Sequence, residues 1–207
     1  MISMRIKYWS HACFELMDGE DILIDPYFSG NTLAPPYEGN PTIILCTHEH
    51  FDHCDKKFIE RFRNKAELIT PPNCGVRWAK VLRIGESTDI RGVKIKMVGA
   101  SHYQSSYPTG YVIEMKGMRI YHAGDTYLDG IKELGELDIA LIPIGGHYTM
   151  NIDEAVEALE ILKPRVVIPM HYDTFPQIKA DPMEFKRKAE ERGYTVKVLN
   201  FGETTSF

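Results

Sequence analysis

The chain has 207 residues, of which 43% are hydrophobic and 26% are charged. These proportions are ordinary for a globular protein with a sizeable core, and the length suits a single domain over residues 1–207. The net charge of −5 argues against the broad basic surface that nucleic-acid binding requires. No apolar run reaches membrane-spanning length, and the start from Met1 to Arg5 lacks a signal-peptide core, so we expect a cytoplasmic protein with no membrane span.

The predicted elements begin as an antiparallel meander and then alternate between strands and helices. Apolar runs and alternation predict strands at 5–9, 13–17, 21–25, 42–46, 93–98, 111–115, 118–121, 138–143, 166–168 and 194–199. Helical spacing and capping residues predict helices over 56–64, 73–78 and 152–162, and one that starts at Pro182. The proline-rich segment 26–41 is expected to be a long loop at the functional site. This order predicts an α/β fold, a four-layer αββα sandwich of two mixed sheets with helices on the outer faces.

The segment from Thr47 to His53 carries most of the chemistry. It places three histidines and two carboxylates in seven consecutive residues, directly after the apolar run 42–46. His48 and His50 are two residues apart, so in an extended segment they point to the same side and can chelate one ion. Asp52 and His53 come after the turn, which makes them candidate ligands of a second ion. A surface loop that happens to be rich in histidine is the alternative interpretation.

Further candidate ligands each lie just after a predicted strand. His102 follows the strand that ends near Gly99, Asp125 follows the one that ends at Tyr121, and His171 follows the one that ends at Ile168. A lone histidine after a strand is more often a hydrogen-bonded loop residue than a ligand. The recurrence at several strand ends nevertheless indicates a shared site, where neutral imidazole and carboxylate groups suit divalent cations.

The motif HxHxDH, followed in order by His102, the Gly-Asp-Thr of 124–126 and His171, resembles the metallo-β-lactamase superfamily. The contexts of Asp125 and His171 are similar to a narrower branch, the L-ascorbate-6-phosphate lactonase-like hydrolases related to N-acyl-phosphatidylethanolamine-hydrolysing phospholipase D. The resemblance implies a metallo-β-lactamase-type fold in which His48, His50 and His102 hold a first metal and Asp52, His53 and His171 hold a second. It also implies that Asp125 bridges the two. True β-lactamases usually have a cysteine where Asp125 stands, so β-lactam hydrolysis is not expected.

Other residues have expected supporting roles. Asp25, at the end of the third strand, is a candidate to orient a metal-bound histidine from behind, or else a turn aspartate before Pro26. His147 follows a buried strand and two glycines, and is a candidate substrate-binding residue and proton donor, with a structural role as the alternative. His11 is a candidate lining residue for substrate. Asp52 and Asp125 are also candidates to take up a proton.

These observations predict a hydrolase with two divalent ions that share a bridging hydroxide and cleave a small ester, lactone or phosphodiester. Zn²⁺ is the expected metal, although Mn²⁺, Ni²⁺ and Fe²⁺ suit the same ligands. The partner is a small-molecule substrate, and homo-oligomer formation stays open. A metal-dependent ligand-binding or sensor protein without turnover is the alternative. A redox role with two irons is weakened because the sequence carries no flavin-binding domain.

Overall fold

The computed structural model describes residues 4–207, so the first three residues, which belong to the start considered above, lie outside it. Within this described part of the chain there are fourteen strands, numbered in chain order: β1 Arg5–Ser10, β2 Cys13–Met17, β3 Asp21–Ile24, β4 Ile43–Leu45, β5 Glu67–Thr70, β6 Lys80–Val81, β7 Ser87–Ile90, β8 Val93–Gly99, β9 Thr109–Met115, β10 Met118–His122, β11 Ile139–Pro143, β12 Val166–Met170, β13 Thr195–Val196 and β14 Glu203–Ser206. The α-helices are α1 Lys56–Ile59, α2 Ile152–Leu162 and α3 Pro182–Glu190. Among residues 4–207, no helix has the length and apolar character that crossing a bilayer requires.

The chain forms two compact units, each built on one seven-stranded sheet. The first unit contains Met1–Arg83 and Leu199–Phe207, and its sheet has the order β14-β1-β2-β3-β4-β5-β6. The pairs from β14 to β3 are antiparallel, and those from β3 to β6 are parallel. This arrangement gives β1, β3 and β4 the same direction, so the residues that follow them emerge at one edge of the sheet.

The second unit, Ile84–Val198, repeats this pattern with the order β13-β12-β11-β10-β9-β8-β7. Its pairs from β7 to β10 are antiparallel and those from β10 to β13 are parallel. As a result β8, β10, β11 and β12 all run in one direction, and their carboxyl ends meet at one edge. Each unit therefore has an edge at which the loops after several strands collect.

Local sequence explains the helices. α2 begins at a capping box, in which the Asn151 side chain accepts from the Glu154 N–H and the Glu154 carboxylate accepts from the Asn151 N–H. Its buried face consists of Ala155, Val156, Ala158, Leu159 and Leu162. α3 has Asp181 as its N-cap and Pro182 in its first turn. In the first unit, Asp55 caps α1, which buries Phe58 and Ile59 in an aromatic-rich core.

Several sequence predictions are confirmed and others are wrong. The meander β1–β3, the strands β8–β12 and the helices α2 and α3 lie where they were predicted. The helix predicted over 73–78 is wrong, because a 3₁₀ turn at Pro72–Cys74 stops at Gly75, whose φ is +65°. The helix predicted over 56–64 becomes 3₁₀ after Ile59, and the strand predicted over 194–199 shrinks to β13. Strands β5, β6, β7 and β14 were missed.

Candidate metal centre

The loop after β4 brings its histidines together through a tight turn. The N–H groups of His53 and Cys54 both donate to the His50 carbonyl, at 3.0 and 2.8 Å, which folds the chain back on itself. His48 Nε2 and His50 Nδ1 lie 3.0 Å apart. The two rings therefore present nitrogen atoms to a common point, and their binding of one ion stays a prediction.

Asp25 organises this loop from behind. Its Oδ1 accepts from the Thr47 N–H and its Oδ2 from the Thr47 hydroxyl, each at 2.7 Å, while Oδ2 also lies 2.7 Å from His53 Nδ1. A carboxylate only accepts, so His53 donates through Nδ1 and its Nε2 is left to face the site. The Thr47 hydroxyl, having donated to Asp25, accepts from His48 Nδ1 at 3.0 Å. One carboxylate thus sets the orientation of two histidine rings.

Asp52, His53 and His11 form a second group in the same unit. Each of the three offers a ligand atom within 4.8 Å of the others. Asp52 Oδ2 lies 2.9 Å from His11 Nε2 and 3.8 Å from His53 Nε2. His11 is fully buried, and the turn that carries it holds a left-handed backbone with φ of 59°. Its role as a substrate contact stays a prediction, and the structure gives it a place beside Asp52.

In the second unit, Asp125 lies between two histidines. Its Oδ2 is 3.7 Å from His102 Nε2, and its Oδ1 is 3.1 Å from His171 Nε2. All three side chains are buried. Because each carboxylate oxygen faces a different imidazole, the arrangement suits an aspartate shared by two ions.

The loops that carry His102 and Asp125 are tied to each other. The Thr126 hydroxyl accepts from the Ser101 N–H at 3.1 Å, and the Tyr127 N–H donates to the Ser101 carbonyl at 2.7 Å. Gly130 is packed against this junction, where a Cβ would overlap Thr126 Oγ1 and Ser101 N. His102 Nδ1 donates to the Tyr148 carbonyl at 3.1 Å, so its Nε2 faces Asp125. Hydrogen bonds therefore fix both the loops and the ring.

His171 is held by a strained backbone and a close glycine contact. Its φ is +58°, a region that costs a non-glycine residue about 1–3 kcal/mol and is enriched at functional sites. A Cβ on Gly145 would overlap the His171 carbonyl oxygen. Because Gly145 has no side chain, the His171 carbonyl can approach its backbone closely.

His147 lies on the exposed turn after β11, where its ring packs edge-on against Tyr148 at a centroid distance of 4.1 Å. It also borders a cavity of about 520 Å³ that is lined by polar residues near the start of α2 and α3, among them Asn151, Lys179 and Asp181. Its roles in substrate binding and proton transfer stay predictions.

The donor separations fit divalent metal ions. Zinc–nitrogen and zinc–oxygen bonds near 2.0–2.2 Å place neighbouring ligands of a tetrahedral ion roughly 3.3 Å apart. Four pairs of candidate ligand atoms, each pair within one unit, lie between 3.0 and 3.8 Å apart. Three of the histidines donate from Nδ1 to an acceptor of the protein and turn Nε2 inward, as metal ligands do. They are His48, His53 and His102.

Comparison with known proteins agrees with this geometry. The model of the "Beta-lactamase superfamily domain" matches residues 5–171. A "UPF0173 metal-dependent hydrolase" of Thermococcus onnurineus is 39% identical over 97% of this chain and 98% of its own length. A Thermoplasma volcanium relative with the same family name is 40% identical over 93% of this chain and 94% of its own. This chain belongs to the UPF0173 metal-dependent hydrolases of the β-lactamase superfamily.

A solved structure with this fold supports the same family assignment. The structure titled "Igni18, a novel metallo hydrolase" from Ignicoccus hospitalis superposes with a TM-score of 0.87 and 34% identity, covering 100% of this chain and 99% of that one. The predicted superfamily, the two mixed sheets and the metal-dependent hydrolase class are therefore confirmed. The narrower lactonase-like branch stays a prediction.

Some residues that support the site were missed from sequence. Thr47, Thr126 and Asp55 all orient ligand loops, and Asp55 accepts from the N–H groups of Phe28 and Ser29 as well as capping α1. Asp55 precedes the predicted helix, so its position as an N-cap was a usable signal. Cys54 directly follows His53 in the sequence but lies in the apolar core, where hydrogen bonds from the Cys46 and Cys74 thiols lower the pKa of its own thiol.

Proposed function

We propose that the ligands of the two units are shared by two divalent cations and that the protein hydrolyses a small ester, lactone or phosphodiester. His48, His50 and His102 would hold one ion, Asp52, His53 and His171 the other, and Asp125 both. On this proposal residues 1–207 work as one hydrolase domain, and Zn²⁺ is the metal. The lactonase-like branch is the narrower assignment that we favour.

The observation that carries the proposal is the position of Asp125. Its two oxygens face the Nε2 atoms of two different histidines, at 3.7 and 3.1 Å. Because the proposal assigns those two histidines to different ions, each oxygen of Asp125 would lie next to an ion of its own. The donors of each unit also fall short of two complete coordination shells, since a zinc site takes four ligands.

The cation pair would supply Lewis acidity, generating a nucleophile from water near neutral pH and neutralising charge at the attacked carbonyl or phosphorus. The protein's own residues orient the candidate ligands and exclude bulk water. Asp25 keeps His48 and His53 turned inward. Burial of Asp125, His102 and His171 keeps bulk water away from the ligands. Asp52 is the candidate proton acceptor, because its carboxylate retains partial exposure of 15%.

Hydrolysis assays on metal-loaded protein test the proposal. Zinc-loaded protein should cleave bis-p-nitrophenyl phosphate or a model lactone, and a chelator should abolish cleavage. Asp125→Asn should lower kcat/KM by more than about 100-fold, beyond the range typical of residues that only support a ligand. Asp89→Asn, on the exposed strand β7, is the control and should retain activity. Metal binding with no hydrolysis on a broad panel would favour the binding or sensor alternative.

A further inference from the structure

The loop that carries His102 exposes a large aromatic surface. Tyr103, which directly follows His102, has 74% of its surface exposed. Tyr148, whose carbonyl accepts the hydrogen bond from His102, has 41% exposed. Single exposed apolar side chains are common and need no explanation. Tyr103 and Tyr148 are not isolated in this way, because both belong to the segments that position the same candidate ligand, His102.

Tyr103 is also stacked on a second tyrosine. Its ring lies 4.8 Å from that of Tyr127 with an interplanar angle of 24°, and the Tyr127 ring lies 6.5 Å from that of His102. The pair spans the two ligand loops, since Tyr127 comes two residues after Asp125. Tyr127 covers one face of Tyr103, and the high exposure of Tyr103 shows that its other face is open to solvent.

Hydrogen bonds fix the orientation of this pair. The Tyr103 hydroxyl donates to Asp129 Oδ2 at 3.1 Å, and the Gln104 amide donates to the Tyr127 hydroxyl at 3.4 Å. A ring that is already held in place loses little conformational freedom when a ligand stacks on it. The stacked pair is thus a rigid flat surface next to His102.

The first unit shows a comparable feature. Phe51 lies between His50 and Asp52 in the sequence and has 66% of its surface exposed. Its ring packs edge-on against Tyr27 at a centroid distance of 5.7 Å. Each group of candidate ligands therefore has an exposed aromatic side chain as a direct neighbour in the sequence.

We propose that Tyr103, stacked on Tyr127, is a specificity-determining residue that selects substrates with a planar aromatic group close to the scissile bond. The inference rests on the proposed function, because it names the substrate class of the same site. Stacking against a fixed tyrosine favours an aromatic ring over a saturated ring of similar size by about three- to tenfold in affinity.

A pair of phosphonates tests the inference without turnover. Phenylphosphonate and cyclohexylphosphonate carry the same anionic group and differ in whether the ring is planar and aromatic. Calorimetric titration of zinc-loaded protein should give a dissociation constant about three- to tenfold lower for the phenyl compound. Tyr103→Ala should bring the ratio close to one. Tyr103→Phe should keep most of the preference, because the ring remains and only the bond to Asp129 is lost.

Tyr194→Ala is the matched control, since Tyr194 is a partly exposed tyrosine between α3 and β13, and it should leave the preference unchanged. Circular dichroism should show all variants folded. Equal affinity of wild-type protein for the two phosphonates, binding of neither, or a preference that survives in Tyr103→Ala would overturn the inference.

A hydrolysis assay separates this inference from the proposed function. Methyl phenylacetate and methyl cyclohexylacetate release the same alcohol, so a difference in kcat/KM reports recognition of the ring. Metal-dependent cleavage of both esters with no preference would overturn the inference and leave the proposed function standing. A phenyl preference in binding, with no cleavage of any ester, lactone or phosphodiester, would refute the proposed function and leave aromatic recognition intact.

Discussion

At the scale of single residues, the site depends on side chains that orient the candidate ligands. Asp25 shows this most clearly, because one carboxylate receives hydrogen bonds from Thr47 and His53 and lies in a left-handed backbone with φ of 48°. Its place before Pro26 made a turn aspartate an equally reasonable interpretation. The sequence could indicate a supporting role for Asp25, but the partnership with Thr47 depends on parallel pairing of β3 with β4.

Asp25→Asn should weaken metal binding by about 10–100-fold, the range typical of residues that orient metal-bound histidines. Asparagine tolerates the left-handed backbone, so the change removes charge and one acceptor while keeping the shape. Its amide would confront donors from Thr47 and His53. Competition with a zinc-chelating dye measures the affinity, and Asp18→Asn, in the turn after β2, is the control. Affinities that match wild type would rule out this role for Asp25.

Gly145→Ala should lower the free energy of unfolding by about 1–3 kcal/mol, because the new methyl group overpacks against backbone. The added Cβ meets the His171 carbonyl, so metal content should fall as well. Urea denaturation and metal analysis of the purified variant measure the two effects. Gly99→Ala is the matched control, since its Cβ would meet only the Ile84 side chain at 3.7 Å. Equal stability and metal content in the two variants would contradict the prediction.

At the scale of elements, prediction succeeded where apolar side chains mark the core. In strands β1–β3 the apolar side chains either alternate with polar ones or form a continuous run. In α2 they recur at helical spacing, and a capping box marks where the helix begins. Strand β14 was missed because its residues, Glu203–Ser206, are polar and largely exposed, and it joins the sheet through backbone pairing with β1. The prediction of a helix over 73–78 failed because the Asn73 side-chain amide donates to the Glu49 carboxylate at 2.6 Å instead of capping a helix.

The start of α2 matters to the candidate ligands of the second unit, since the Met150 N–H just before it donates to the carbonyl of Thr126, the residue after Asp125, at 3.0 Å. Asn151→Ala removes the cap and should destabilise the protein by about 1 kcal/mol, which lowers Tm by roughly 2–4 °C. Thermal unfolding followed by circular dichroism measures the change. Glu157→Ala, on the exposed face of the same helix, should leave Tm within about 1 °C of wild type. A similar Tm for both variants would show that the cap contributes nothing.

At the scale of the whole molecule, both units use the same design. In each sheet three antiparallel strand pairs are followed by three parallel ones. Several strands of a sheet therefore run in the same direction, and the residues that follow them collect at one edge. The sequence indicated this, because every predicted ligand lies just beyond a strand. It could not indicate sheet order, which depends on long-range pairing such as that of β14 with β1. The cytoplasmic location and homo-oligomer formation stay predictions.

The central claim is that seven side chains, His48, His50, Asp52, His53, His102, Asp125 and His171, hold two divalent ions. Metal analysis of protein dialysed against buffered zinc tests it most directly. Wild-type protein should retain two equivalents of zinc per chain, while His48→Ala and His171→Ala should each retain about one, because each change removes a ligand of a single ion. Two equivalents in both variants, or one equivalent or fewer in wild-type protein, would contradict the account.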